Sequence, residues 1–201
     1  MNKKGAVEVV TGSMFSGKTS ELIRRLRLCV LARKKVQAFK SHLDDRYKND
    51  QIVSHDGFEF EGIPARSSSQ ILERLTPDTQ VVGIDEAQFF DIGLIDTCEL
   101  MAERGIRVVV AGLDTDYRGM PFEVIAQLLA RAEVVTKNLA ICSVCGSDKA
   151  HYSQRLDGGG NGRVVVGAAE KYEARCRNCF VAPSDQIPVK AGIPELVQSA
   201  R

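Results

Sequence analysis

Near the start of this chain, Gly12-Ser13-Met14-Phe15-Ser16-Gly17-Lys18-Thr19 fits the spacing G-x-x-x-x-G-K-[ST]. That spacing constrains the fold, because the loop it makes works only where a buried strand delivers the chain to a tight turn and a helix starts straight after it. Both flanks meet the demand. Ala6 to Val10 reads as a short buried strand, and Ser20 to about Leu31 has helical apolar spacing through Leu22, Ile23, Leu26 and Val30. Glycines let the backbone wrap a phosphate closely, and loop amides with the helix N-terminus face its charge. Lys18 can meet the outermost phosphate, and Thr19 offers a hydroxyl to magnesium.

The following residues keep alternating strand with helix. Val36 to Phe39 reads as a strand, and Lys40 to Gly57 is hydrophilic enough to be a surface loop. A helix is expected from Ser68 to Leu75, a strand over Val81 to Ile84, and a helix from about Ile92 to Arg104 with Gly105 as its stop. Val108 to Leu113 then reads as a strand, Pro121 to about Ala132 as a helix, and Glu133 to Lys137 as a last strand. Such alternation predicts an α/β fold of the phosphate-loop NTPase type, a mostly parallel sheet with helices on both faces and ligands at the strands' carboxyl ends. Past Ile141 the chain changes character, with paired cysteines and a glycine run, Gly158 to Gly160 and Gly162. The expected division is a nucleotide-binding domain over 1–140, a zinc-binding domain over 141–180 and a tail over 181–201.

Asp85 and Glu86 follow the third strand, which puts two carboxylates at the sheet edge from which the phosphate loop emerges. One can join a magnesium shell and the other can take a proton from a group attacking phosphorus; a helix-capping pair is the plainer alternative. Cys142-x-x-Cys145 and Cys176-x-x-Cys179 supply four thiolates for a closed, structural zinc site, with a redox dithiol as the competing reading. Cys29 and Cys98 fall inside apolar helical patterns and read as core residues. His42, His55 and His151 share no ligand spacing, and Arg46 in Asp44-Asp45-Arg46-Tyr47 is either a cation for transferred phosphate or part of a solvated loop. The 27 Lys and Arg nearly cancel 26 Asp and Glu, so the balance of +1 speaks against sequence-independent nucleic-acid binding. No apolar run reaches the length of about 20 residues that spans a bilayer, so no membrane partner is expected and the reading is soluble and cytoplasmic. Three classes share these generic motifs: a nucleotide-dependent kinase, an ATPase that grips DNA through a zinc ribbon, and a nucleotide-gated binding module that phosphorylates nothing.

Further runs narrow the choice. Ser20-Glu21-Leu22 after the loop, Asp44 to Tyr47, Ser54-His55-Asp56, Asp85-Glu86-Ala87-Gln88-Phe89-Phe90, Ala111-Gly112-Leu113-Asp114, Tyr117-Arg118-Gly119-Met120-Pro121-Phe122 and Lys171 to Cys179 occur in that order. Together they resemble the cytosolic type II thymidine kinases, zinc-containing phosphate-loop enzymes, over nearly the whole chain to about Phe180. The resemblance implies transfer of the γ-phosphate of ATP to the 5′-hydroxyl of thymidine, and of deoxyuridine, with catalytic Mg2+ and structural Zn2+. It also implies feedback inhibition by dTTP and a homotetramer. By matching position, Gly12, Ser13, Met14, Phe15, Ser16, Gly17, Lys18, Thr19, Asp85, Gln88 and Arg46 would hold ATP and its magnesium, with Glu86 as the base. Phe89 would stack on thymine, while Met14, Leu113, Tyr117 and Phe122 shape the pocket and Tyr172, Val164, Val165, Val166 and Gly167 close it. Ser153 stands where the family has a small hydroxyl residue near the thymine methyl, and Tyr117 where phenylalanine is common.

Overall fold

The computed structural model describes residues 4–42, 51–54, 57–156 and 171–182. β1 (Ala6–Gly12) leads through the phosphate loop into α1 (Lys18–Leu31), and β2 (Val36–Ser41) follows. β3 (Gln51–Val53) and β4 (Glu59–Glu61) form an antiparallel hairpin, succeeded by β5 (Ile63–Ala65) and α2 (Ser68–Glu73). β6 (Val81–Asp85), a 3-10 turn over Ala87–Phe89, α3 (Leu94–Glu103), β7 (Arg107–Leu113), α4 (Glu123–Arg131) and β8 (Val134–Asn138) complete the alternation. β9 (Tyr152–Arg155) and β10 (Tyr172–Arg175) pair antiparallel in a sheet of their own.

The main sheet runs β5-β2-β6-β7-β1-β8, and every neighbouring pair in it is parallel. Parallel neighbours require crossovers, and here helices supply most of them, covering both faces so that the strands carry apolar side chains on each side. On one face Leu22, Ile23 and Leu26 of α1 pack on Val10, Ala38, Val81, Val109 and Ala111. On the other, Ile71 of α2, Leu94, Ile95, Cys98 and Met101 of α3, and Ile125 and Leu128 of α4 cover Val7, Val9, Phe39, Val82, Ile84, Val108 and Val110. Each such fully buried aliphatic side chain stabilises the fold by about 1.5–3 kcal/mol. Gly83 lets α1 sit close, since a Cβ there would lie 2.5 Å from Leu26 Cδ1.

The expected surface loop from Lys40 to Gly57 needs correction. β2 continues to Ser41 with Lys40 buried, and Gln51–Val53 is a strand whose Ile52, 2% exposed, joins the α1-side core. A three-residue strand is too short to display alternation, and one isoleucine between Gln51 and Val53 carries little periodic signal. Asp44, Asp45, Arg46, Tyr47, His55 and Asp56 lie outside the described residues, as do Val164 to Gly167, the glycine run and most of the tail. Two helices start later than their apolar spacing suggests. The Asp91 carboxylate accepts from the Gly93 amide at 3.0 Å and the Ser68 amide at 2.8 Å, which fixes the chain just before α3. Ahead of α4, the Phe122 amide is spent on the Asp114 carbonyl at 3.0 Å.

One buried polar cluster interrupts the apolar α1 face. Glu8 of β1 accepts from Arg25 of α1 at 2.9 Å and from two nitrogens of Arg107 of β7 at 2.6 and 3.0 Å. Arg25 also reaches Glu21 at 2.8 Å and the Thr136 hydroxyl of β8 at 2.8 Å. Burial acts to raise the Glu8 carboxyl, but hydrogen bonds and charge from Arg107 and then Arg25 outweigh it and hold the group below the ordinary carboxylate range. A carboxyl depressed by folding adds stability above its unfolded value of about 4.3, and that contribution fades as pH falls through the folded value. Glu8→Ala leaves two guanidinium groups without their shared anion and is expected to cost about 3 kcal/mol at neutral pH. Denaturant unfolding of both proteins between pH 7 and pH 3 checks it, with the gap narrowing toward the acid end.

Candidate active site

The carboxyl ends of β1, β7 and β6 lie side by side, and each carries part of a cleft. At the end of β1, Gly12 has φ +145, and a Cβ there would fall 2.2 Å from the Asn138 carbonyl oxygen. Glycine alone fits that approach. Phe15 at φ 63 and Gly17 at φ 75 turn the loop back on itself, and α1 begins at Lys18. Two side chains close on the loop's interior: Lys18 Nζ donates to the Ser13 carbonyl at 2.7 Å, and the Ser16 hydroxyl to the same carbonyl at 2.8 Å. The ammonium is thus already placed within the arc of loop amides.

β6 brings the acidic pair. Asp85 is buried, and its carboxylate oxygens accept from the Thr19 hydroxyl at 3.3 and 3.2 Å. A hydroxyl and a carboxylate held side by side form a hard oxygen-donor set of the kind that suits magnesium. Glu86 occupies the left-handed region at φ 50, which costs a non-glycine residue about 1 kcal/mol or more and persists only where the surroundings fix it. The turn ends β6 at Asp85, so Glu86 stands outside the strand and its pleat. Gln88 Nε2 donates to Glu86 Oε2 at 2.5 Å, and Gln88 Oε1 accepts from the Leu113 amide at the end of β7 at 3.0 Å.

The four cysteines come together. Their sulfurs lie within 4.8 Å of one another, and Cys145 Sγ is 3.7 Å from Cys176 Sγ. Zn–S bonds of about 2.3 Å give a tetrahedron with sulfur–sulfur edges of about 3.8 Å, so the cluster fits that ion and leaves no fifth place for substrate. The amide of Cys176 first, then those of Cys145 and Val144, lowers the Cys142 thiol to about 6, whereas the thiols of Cys145 and Cys176 push Cys179 up to about 12. One thiolate forming among crowded sulfurs suppresses the next; a divalent cation removes that penalty. The surrounding core is Ala140, Cys142, Ala150, Ala174 and Cys176, too little apolar surface to hold the unit alone.

Comparison with known proteins decides the family. The family model for thymidine kinase matches residues 5–180. A curated thymidine kinase from Rhodothermus sp. (strain ITI 518) is 54% identical over 179 residues, covering 89% of this chain and 83% of the relative. The chain belongs to the thymidine kinase family. Domain III of the replication initiation protein DnaA from Thermotoga maritima shares only 16% identity over 66% of this chain and 54% of its own, with a TM-score of 0.40, too loose a likeness to bear on fold or function.

Within this thymidine kinase, the phosphate loop is bonded to the cysteine-bearing unit. The Met14 amide donates to the Ser153 hydroxyl of β9 at 3.0 Å, and Phe15 packs against the alanine and cysteine core around the thiols. An apolar Met-Phe pair inside a loop that has to face phosphate was the signal in the sequence for such a partner. Leu113 and Phe122 lie beside the Gln88 anchor and the α4-side core, and Phe89 is half-buried on the 3-10 turn. Tyr172 is buried on β10, in the cysteine unit's sheet. Tyr117 has two guanidinium groups over its ring, Arg118 at 5.1 Å and Arg155 at 5.3 Å, and its hydroxyl accepts from Arg118 at 3.0 Å. Arg155 did not stand out in the sequence, and Arg118 and Asp114 stood there only as members of longer runs with no role of their own; the buried Asp114 carboxylate meets Lys137 at 2.7 Å and so links the ends of β7 and β8 across Gly12. The purified protein should carry about one zinc ion per chain, since four thiolates fill one tetrahedral shell. Metal analysis checks this, and Cys176→Ala should abolish retention and lower the thermal midpoint.

Proposed function

We propose that this chain phosphorylates thymidine, and deoxyuridine, on the 5′-hydroxyl with the γ-phosphate of ATP, releasing the nucleoside monophosphate and ADP. The observation that carries the reading is the Thr19–Asp85 contact at 3.2 Å with Glu86 as the next residue, at the mouth of a phosphate loop in a chain of this family. ATP would lie with its β- and γ-phosphates on the amides of Gly12 to Thr19, with Lys18 leaving the Ser13 carbonyl for phosphate oxygen. Thr19 and Asp85 would hold magnesium, which when bound neutralises charge on the phosphates. Glu86 takes the proton from the 5′-hydroxyl as that oxygen attacks phosphorus in line, and ADP leaves. The transferred group passes through a loose transition state, so alignment and electrostatics supply most of the acceleration.

Phe89, Leu113, Tyr117, Phe122 and Met14 would form the thymine pocket, with Ser153 by the methyl group and Tyr172 on the facing wall. Because the Ser153 hydroxyl also accepts from the Met14 amide, base binding and the phosphate loop share one support. Arg46, Val164, Val165, Val166 and Gly167 join this reading through the family resemblance. Zinc on Cys142, Cys145, Cys176 and Cys179 is structural, holding a domain over 141–180 beside the nucleotide-binding domain over 1–140. The same reading gives a cytoplasmic homotetramer inhibited by dTTP; among the described residues no helix is long and apolar enough to cross a membrane.

Labelled phosphate transfer from ATP to each of the four deoxynucleosides tests the assignment. Transfer to thymidine is the expected result; ATP hydrolysis driven by single-stranded DNA and indifferent to thymidine would replace the kinase by a DNA-dependent ATPase. Glu86→Gln should lower kcat by about 100- to 10,000-fold, the usual worth of a general base, while the protein folds normally. Near-normal turnover of that variant would remove Glu86 from the role.

A further inference from the structure

The left-handed turn that aims Glu86 leaves its carboxylate on a short, mobile-jointed side chain, so something besides the backbone has to fix the oxygens. We propose that Gln88 is the positioning residue for Glu86 and that it ties the base to the β7 end of the thymidine pocket rather than serving as a ligand of the nucleotide. The inference rests on the kinase reading above and deepens it.

Both ends of the Gln88 amide have protein partners. The Leu113 backbone N–H can only donate, so the atom 3.0 Å from it is the amide oxygen, and the amide nitrogen therefore faces Glu86 Oε2 at 2.5 Å. The orientation of this glutamine follows from chemistry. The side chain is buried, 8% exposed, and runs past Gly112, where a Cβ would stand 2.9 Å from the amide oxygen. Glycine at that point of β7 opens the path from the 3-10 turn to the Leu113 amide. One carboxylate oxygen is thus fixed relative to a strand end that also carries a wall of the pocket, and the base and the bound alcohol share a frame. A neutral amide does this without adding a charge beside the γ-phosphate.

Zinc-loaded full-length protein and two variants test the proposal. Gln88→Met keeps the length and loses both hydrogen bonds. Gln88→Glu keeps the acceptor for Leu113 and sets a second carboxylate against Glu86. Both should lower kcat by about 10- to 100-fold, the scale of an ångström of misplacement, with KM for ATP and for thymidine within about threefold of the parent. The glutamate variant should fall at least as far as the methionine variant although it retains more of the native contacts. In a Glu86→Gln background, Gln88→Met should lower kcat no further, because a residue acting through Glu86 has nothing left to position. Thermal unfolding identifies a variant that fails to fold, and the other variant then carries the comparison. A rise in KM for ATP with kcat retained would make Gln88 a nucleotide ligand and overturn the proposal, as would full additivity with Glu86→Gln or kcat within about threefold in both variants. Those outcomes leave the kinase reading standing, whereas a parent protein that phosphorylates no deoxynucleoside removes the reading and this assignment together.

Discussion

The cleft depends on how closely the first strand's end approaches its neighbours. Gly12 pairs with Leu113 on one side and Asn138 on the other, and the space against the Asn138 carbonyl admits no side chain. The Thr11 hydroxyl donates to the Gly112 carbonyl at 2.9 Å, and Lys137 meets Asp114 across the same point. Three parallel strands are therefore locked together one residue below the phosphate loop. A loop that must hold a polyanion with backbone amides gains little from flexible side chains. It needs amides whose directions are fixed before the ligand arrives, and a locked sheet edge provides them.

The cysteine-bearing unit extends that lock beyond the main sheet. Its core of alanines and cysteines is too small to order itself by hydrophobic burial, and its four clustered thiols are a donor set that could supply the missing stability. Once ordered, it contributes Ser153 to the Met14 amide, a packing surface for Phe15, and Tyr152 against Gly119 of the turn that bears Tyr117. A Cβ at Gly119 would lie 3.3 Å from the Tyr152 ring, and φ is +78, so this turn accepts glycine best on both counts. The cysteine cluster, the turn at Gly119 and the phosphate loop are coupled through short, directed contacts.

Much of this was legible in the chain itself. The buried runs Val81 to Ile84 and Val108 to Val110 could only be interior strands, and the glycine and lysine spacing after β1 implied a helix N-terminus at a sheet edge. Paired cysteines 31 residues apart at Cys145 and Cys176 announced a common cluster because chance does not duplicate the Cys-x-x-Cys spacing. The rest depended on tertiary contact. Ile52 looks like any isolated isoleucine until α1 and β2 supply a face for it. Arg25 sits on the apolar side of α1, where a periodic pattern expects a hydrophobe, and is tolerated because Glu8 lies beneath it on β1. Gln88, a polar residue after two acidic ones, has no local signature; its partner Leu113 is 25 residues away.

The carboxylates of this chain illustrate how environment divides one chemistry among several tasks. Glu21 is held down to about 2, first by its hydrogen bond from Arg24, and Glu8 is kept ionised by Arg107 and Arg25 against its own burial. Such pairing suits anions whose work is structural, because a carboxylate bound by guanidinium is a poor proton acceptor. A general base needs the opposite: a fixed direction with its basicity preserved. On the proposed reading of Glu86, the amide hydrogen bond from Gln88 would supply that direction without bringing net charge into the cleft. Glu86 stands in a left-handed turn one residue beyond the Asp85 that engages the Thr19 hydroxyl, and it accepts from Gln88, so the two adjacent carboxylates have different hydrogen-bond partners.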